Sequence, residues 1–132
     1  MRLAANLSLM FTELPLLERF AAAKHAGFHV VEIQFPYTDH IQDLVDAKNK
    51  AGVEVCLINV PVGDLMKGGE GLASVPEKQK EFEDALKRCY KYAKALDVKI
   101  VNVLAGVCKN ESQIERYMQT FKSNLLKAAN AF

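Results

Sequence analysis

The sequence predicts an α/β fold: four strand–helix units laid on a parallel sheet. Apolar runs of strand length alternate four times with segments of helical period. Two helical segments end in Ala-Gly directly before the next apolar run, a stop signal followed at once by a strand. No linker or low-complexity stretch breaks the series, so residues 1–132 read as a single domain.

The first strand is expected over Leu3–Leu7. A helix follows from about Pro15 to Ala26, where Leu16, Leu17, Phe20 and Ala21 share a face and Gly27 supplies the stop. The second strand, Val30–Phe35, ends at Pro36, which cannot donate to a ladder. A second helix from about His40 to Ala51 places Ile41, Leu44 and Val45 on one side, and the third strand, Val53–Val60, begins after Gly52. AKHAGFHVVEI and KNKAGVEVCLI therefore read as one unit written twice: charged helix end, Ala-Gly, strand.

After Pro61 comes a long loop, VGDLMKGGEGLASV, holding four of the chain's seven glycines. Loops of this length within a domain are usually functional or disordered, and its glycines suit a lid over a small substrate. Ser74 and Glu77 have the spacing of a capping box for the third helix, whose Phe82, Ala85, Leu86, Cys89, Ala93 and Leu96 form one apolar stripe. The fourth strand is expected over Lys99–Leu104. Asn110 with Gln113 offers a cap for a last helix, lined on one face by Ile114, Tyr117, Met118, Phe121, Leu125, Ala128 and Phe132.

Four units in 132 residues average about 33 residues each, close to one-eighth of a (β/α)8 barrel of roughly 250 residues. The expected fold is thus of (β/α)8 barrel type, with about four βα units, or half a barrel, in this chain. A doubly wound open sheet is the alternative, but that fold usually carries phosphate-binding glycines after its first strand, where this chain reads Ser8-Leu9-Met10.

Composition narrows the partners. Lys+Arg 17 against Asp+Glu 16 leaves a formal net charge of +1, too weak a field to hold nucleic acid or an anionic membrane by charge alone. No apolar run approaches the roughly 20 residues of a membrane span, and MRLAANLSLM lacks a credible signal-peptide core. A cytoplasmic location is expected. Cys56, Cys89 and Cys108 are an odd count without C-x-x-C spacing and read as reduced thiols, with Cys108 near a strand end as the one reactive alternative. Asn6-Leu7-Ser8 and Asn110-Glu111-Ser112 match the glycan acceptor pattern by chance in this reading.

Barrel sites form at the C-terminal ends of the strands. Each of the four bears an amide there: Asn6, Gln34, Asn59 and Asn102. An amide can donate to and accept from a polyhydroxylated substrate without bringing a charge; it can equally tie a strand end to its own loop. Glu32, Asp64 and Glu70 are the nearby carboxylates, read mainly as caps or solvated charges rather than bases or ligands. Lys67-Gly68-Gly69-Glu70-Gly71 shares only its glycine content with a phosphate cradle. His25, His29 and His40 form no zinc spacing, and no metal ligand set or cofactor motif is visible in this chain.

Several stretches go beyond pattern: AANLSLMFTELPLLERF, AGFHVVEIQFPY, LINVPVGD with its N-x-P-x-G-D, KGGEGLASVP, YAKALDVKIVNVLAGV and NLLKAANAF. With these the sequence resembles the hydroxypyruvate isomerase family, in the xylose-isomerase-like group of TIM barrels, along its whole length but over only the N-terminal half of that barrel. The resemblance implies an intramolecular oxidoreductase of carbohydrate and glyoxylate metabolism. It would interconvert hydroxypyruvate and tartronate semialdehyde (2-hydroxy-3-oxopropanoate) through an enediol. It also implies an acid/base pair of glutamates in the second half, past Phe132, and a divalent metal in the complete barrel; neither maps to a residue here. Asn102 stands where many relatives are expected to carry histidine.

The substrate-binding residues read from this combination are Asn6, Asn59 and Asn102 for oxygens, Phe35 as an apolar wall and Asp64 as anchor of the long loop. The expected partner is a small hydroxy-oxo acid or sugar. Another sugar isomerase or epimerase of the same group is the second reading. A third is a non-catalytic product, inactive alone, that self-associates through open sheet edges or pairs with the missing half.

Overall fold

A computed structural model describes the whole chain, Met1–Phe132. The elements are β1 (Ala4–Asn6), α1 (Leu16–His25), β2 (Val30–Ile33), α2 (Ile41–Ala51), β3 (Glu54–Asn59), α3 (Gln79–Leu96), β4 (Ile100–Asn102) and α4 (Ile114–Ala131). The strands pair in chain order, β1-β2-β3-β4, and every pair is parallel. This is the expected α/β arrangement of four strand–helix units.

The strands are shorter than the apolar runs that announced them. β2 stops at Ile33 because the Gln34 N–H leaves the ladder for the Ser8 hydroxyl, 2.9 Å away. Phe35 consequently lies beyond the strand and is half-buried. β1 and β4 each have a partner on one side only, β1 pairing over Ala4–Asn6 with Val30–Glu32 and β4 over Ile100–Asn102 with Leu57–Asn59.

The chain divides into two compact units. The first, Met1–Asn59 with Lys91–Asn102, holds the whole sheet, α1, α2 and the end of α3; the second, Val60–Tyr90 with Val103–Phe132, holds the long loop, most of α3 and α4.

Within the first unit the three helix-to-strand turns share one construction. The residue after the turn reaches back five positions: Phe28 N to Ala23 O (3.0 Å), Val53 N to Lys48 O (3.3 Å) and Val98 N to Ala93 O (2.8 Å). This wrap needs a left-handed residue just past the helix. Gly27 (φ 97°) and Gly52 (φ 69°) supply it in the two copies visible in sequence, and Asp97 (φ 57°) supplies it in a third. The register then sorts the sheet's faces. Ala5, Val31 and Val55 form one row, and Ile33 and Ile58 belong to the next on the same face; all five are at most 1% exposed. Phe20, Ala23, Leu44 and Leu96 from the helices are buried in the same unit.

In the second unit the α3 stripe is buried as expected, from Phe82 and Ala85 through Leu86 and Cys89. The capping box is not formed. The chain enters α3 through a 3-10 turn, Pro76–Lys78, with Val75 at the cap and no side-chain hydrogen bond there. Pro76 has no N–H to be capped, Ser74 is buried, and Glu77 pairs instead with Arg116 (2.8 Å). Asn110 does cap: its Oδ1 accepts from Ser112 N (3.1 Å) at the 3-10 turn leading into α4. The buried line of α4 is rotated from the apolar stripe. Thr120, Asn124 and Ala128 are buried, whereas Ile114, Met118, Leu125 and Phe132 are exposed.

Candidate functional site

The face of the sheet opposite the buried rows carries the polar groups. Asn6, Glu32, Leu57 and Ile100 form one lateral row across the four strands. Two residues further along β3 and β4, about 7 Å at strand rise, Asn59 and Asn102 sit opposite each other. Glu32, read from sequence mainly as a bland charge, thus shares a face with the strand-end amides.

Asn59 is the best-determined of these residues. It is 5% exposed. Its N–H donates to Gln34 O (3.0 Å), its main-chain oxygen accepts from the Tyr37 hydroxyl, and its Oδ1 accepts from Asn102 Nδ2 (3.1 Å). Only its Nδ2 makes no bond within the chain, and that atom is not sealed from solvent. Tyr37 is held edge-on against Tyr92, with ring centroids 5.0 Å apart and planes at 73°. Tyr92 in turn donates to Asp39 O (2.8 Å). Sequence reasoning missed this tyrosine pair; its only signal is an aromatic residue directly after Pro36, at a strand end.

Asn6 is half-buried, and its Oδ1 accepts from Ser8 N (2.9 Å), a local turn that ties the end of β1 to its loop. Arg19 reinforces that loop from α1, donating to Leu7 O (2.7 Å) and Leu14 O (2.8 Å). The structure therefore joins Asn59 and Asn102 directly, gives Asn6 a turn-closing role for its oxygen, and leaves Phe35 half-buried beyond β2.

In the second unit, the carboxylates of the long loop are already engaged, Asp64 near the loop's own backbone and Glu70 by the segment leading into α4 and by α4 itself. Asp64 accepts from Gly71 N (3.0 Å) and Lys78 Nζ (3.2 Å). The Gly71 amide, with Lys78 beside it, holds the Asp64 carboxyl below the usual carboxylate range. Glu70 accepts from Lys109 N (2.9 Å) and the Tyr117 hydroxyl (2.9 Å). These bonds lower the Glu70 carboxyl and push the Tyr117 phenol up to about 12. Gly71–Val75 is buried, and Asn124 of α4 donates to Ala73 O (2.9 Å).

The three cysteines form no disulfide. Burial, then the Glu32 carboxylate, raises the Cys56 thiol, while Cys108 Sγ lies 3.1 Å from Asn110 O. No three His, Cys, Asp or Glu side chains converge to hold a metal ion, so these residues by themselves do not fit the divalent ion the resemblance raised. No helix is long and apolar enough to cross a membrane.

The sequence model of the xylose isomerase-like TIM barrel family matches residues 20–132. This chain belongs to that family. Among its relatives, a hydroxypyruvate isomerase of Escherichia coli is 39% identical over 132 residues, covering 98% of this chain and 50% of that protein. A 2-oxo-tetronate isomerase of Haemophilus influenzae is 36% identical over 131 residues, covering 99% and 51%. The crystal structure of an AP endonuclease, family 2, from Brucella melitensis superposes with a TM-score of 0.91 at 35% identity, covering 98% of this chain and 50% of that one. The chain thus spans about half the length of the curated relatives it matches, and the strand order β1-β2-β3-β4 is that of consecutive units of the family's barrel.

Proposed function

We propose that this chain serves an aldose–ketose isomerase that interconverts hydroxypyruvate and tartronate semialdehyde through an enediol. Relatives 39% and 36% identical are named for isomerisation of hydroxypyruvate and 2-oxo-tetronate, both small oxo acids. The observation that carries the reading is the amide pair Asn59–Asn102 at the C-terminal strand ends. It offers uncharged hydrogen bonding where a barrel of this family would hold its substrate.

Moving a proton between adjacent carbons needs a base for the carbon-bound proton and an acid for the neighbouring oxygen. Amides supply neither. Asn6, Asn59 and Asn102 would orient the substrate and Phe35 would wall it, while Asp64 already accepts from Gly71 N and Lys78, and Glu70 from Lys109 N and the Tyr117 hydroxyl. The acid/base pair in this reading is the one the family resemblance implies, two glutamates outside these residues.

The test is turnover of hydroxypyruvate, followed by carbon NMR, with 2-oxo-tetronate as the second substrate because one relative bears that name. The 132-residue chain alone is expected to be inactive. In a complete barrel carrying this sequence, Asn59→Ala should lower turnover about two- to tenfold, the loss of one net hydrogen bond. Unchanged kinetics in that variant, or turnover of neither compound by the complete barrel, overturns the assignment.

A further inference from the structure

We propose that Asn102 is a positioning residue: it fixes the polarity of the Asn59 amide so that the Asn59 NH2 group is the free donor at the strand ends, set to take a substrate's carbonyl oxygen. The inference rests on the functional reading above, and it adds which atom meets the ligand and what aims it. Three of the four polar groups of Asn59 are already occupied, by Gln34 O, the Tyr37 hydroxyl and Asn102 Nδ2. The residue is 5% exposed and β3 fixes its backbone, so the remaining freedom is a flip of the amide. Asn102, on the neighbouring strand in direct register, donates to Oδ1 at 3.1 Å and so favours the orientation that leaves Nδ2 as the unbonded group.

The class of ligand atom follows from charge. A neutral NH2 donor suits a carbonyl or enediolate oxygen. A carboxylate is disfavoured at the same point because Glu32 lies on the same face of the sheet, one row toward the N-terminal ends. Asn6 follows the same rule: Ser8 N occupies its Oδ1 at 2.9 Å, and its NH2 is the unbonded group.

The experiment uses a complete barrel carrying this sequence, labelled with nitrogen-15, and hydroxypyruvate as probe. In the unliganded protein the Asn102 side-chain NH2 should exchange slowly with solvent and that of Asn59 quickly. Asn102→Asp, which can accept but not donate, should reverse the amide and make the Asn59 NH2 slow. Hydroxypyruvate should shift the Asn59 NH2 signal, bind about tenfold more weakly to Asn102→Asp, and bind within about threefold of the parent to Asn102→His, whose ring N–H restores a donor. A slow Asn59 NH2 and a fast Asn102 NH2 in the parent overturn the proposal. So does equal weakening in the Asp and His variants, which marks a packing role. If hydroxypyruvate shifts nothing while the exchange pattern is as stated, the functional reading falls and the polarity assignment stands on exchange alone.

Discussion

The carboxylate of Asp64 occupies the space that any side chain at position 69 would need: a Cβ added to Gly69 falls 2.0 Å from Asp64 Cγ and 2.3 Å from each of its oxygens. The loop is thus closed by an acid that holds Gly71 N and Lys78 Nζ from one side and rests against bare backbone on the other. Gly69→Ala must displace Asp64 from both partners, at a cost of about 1–3 kcal/mol for overpacking. Urea denaturation measures it. A Gly69→Ala protein as stable as its parent would show that Asp64 holds nothing in place.

Acid should weaken the junction of Glu70 with Lys109 N and Tyr117. The Glu70 carboxyl titrates lower in the folded chain than its usual value, so the ionised form is favoured by folding. Its contribution is complete above the ordinary glutamate range near pH 4.5 and is lost as pH falls through the folded value. Glu70→Gln should therefore be less stable than the parent at pH 7, with the gap closing as the pH drops below about 4. Denaturation midpoints at the two pH values decide it; a gap of constant size would mean that the charge on Glu70 contributes nothing.

Proteolysis should separate the two parts of the long loop. Gly63, Asp64 and Met66–Gly68 are exposed, whereas Gly71–Val75 is buried and tied through Ala73 O to Asn124. Cleavage needs an accessible, locally opened backbone. Trypsin should cut after Lys67 before it cuts after Lys78, whose amine is engaged by Asp64. With a lid role, hydroxypyruvate should slow the Lys67 cut in a complete barrel; an unchanged rate would make the segment a fixed connection.

The alternating pattern was legible because each helix is amphipathic and each strand apolar, and two of the three wrapped turns announce themselves by Ala-Gly. The third was hidden because Asp97 adopts the left-handed conformation that glycine adopts at the others. On α4, apolar residues marked a stripe, yet burial follows Thr120 and Asn124, since a donor is needed at Ala73 O and no local pattern encodes that. The strand-end amides could be found one by one. Their pairing could not, because Asn59 meets Asn102 only through the register of β3 and β4, 43 positions apart in the chain. The tyrosine that seats Asn59 is likewise distant, 22 residues away.

The sheet's two outer strands lead to the last expectation. β1 pairs only with β2 and β4 only with β3, so each presents unpaired N–H and C=O groups along its other side. Edges of this kind are usually blunted by charge, proline or a cover. Here Leu3 is 68% exposed beside β1 and Ile100 is 55% exposed within β4, and the charged Arg2 is drawn off to Glu54 at 2.9 Å. The 132-residue chain is accordingly expected to self-associate through these edges, or to accept the remaining units of a family barrel there. Sedimentation should show a mass that rises with protein concentration, and Ile100→Lys, which puts a charge on the open edge, should shift the distribution toward monomer. Monomers at every concentration, with a cooperative unfolding transition, would show that the edges are protected by twist or solvation and need no partner.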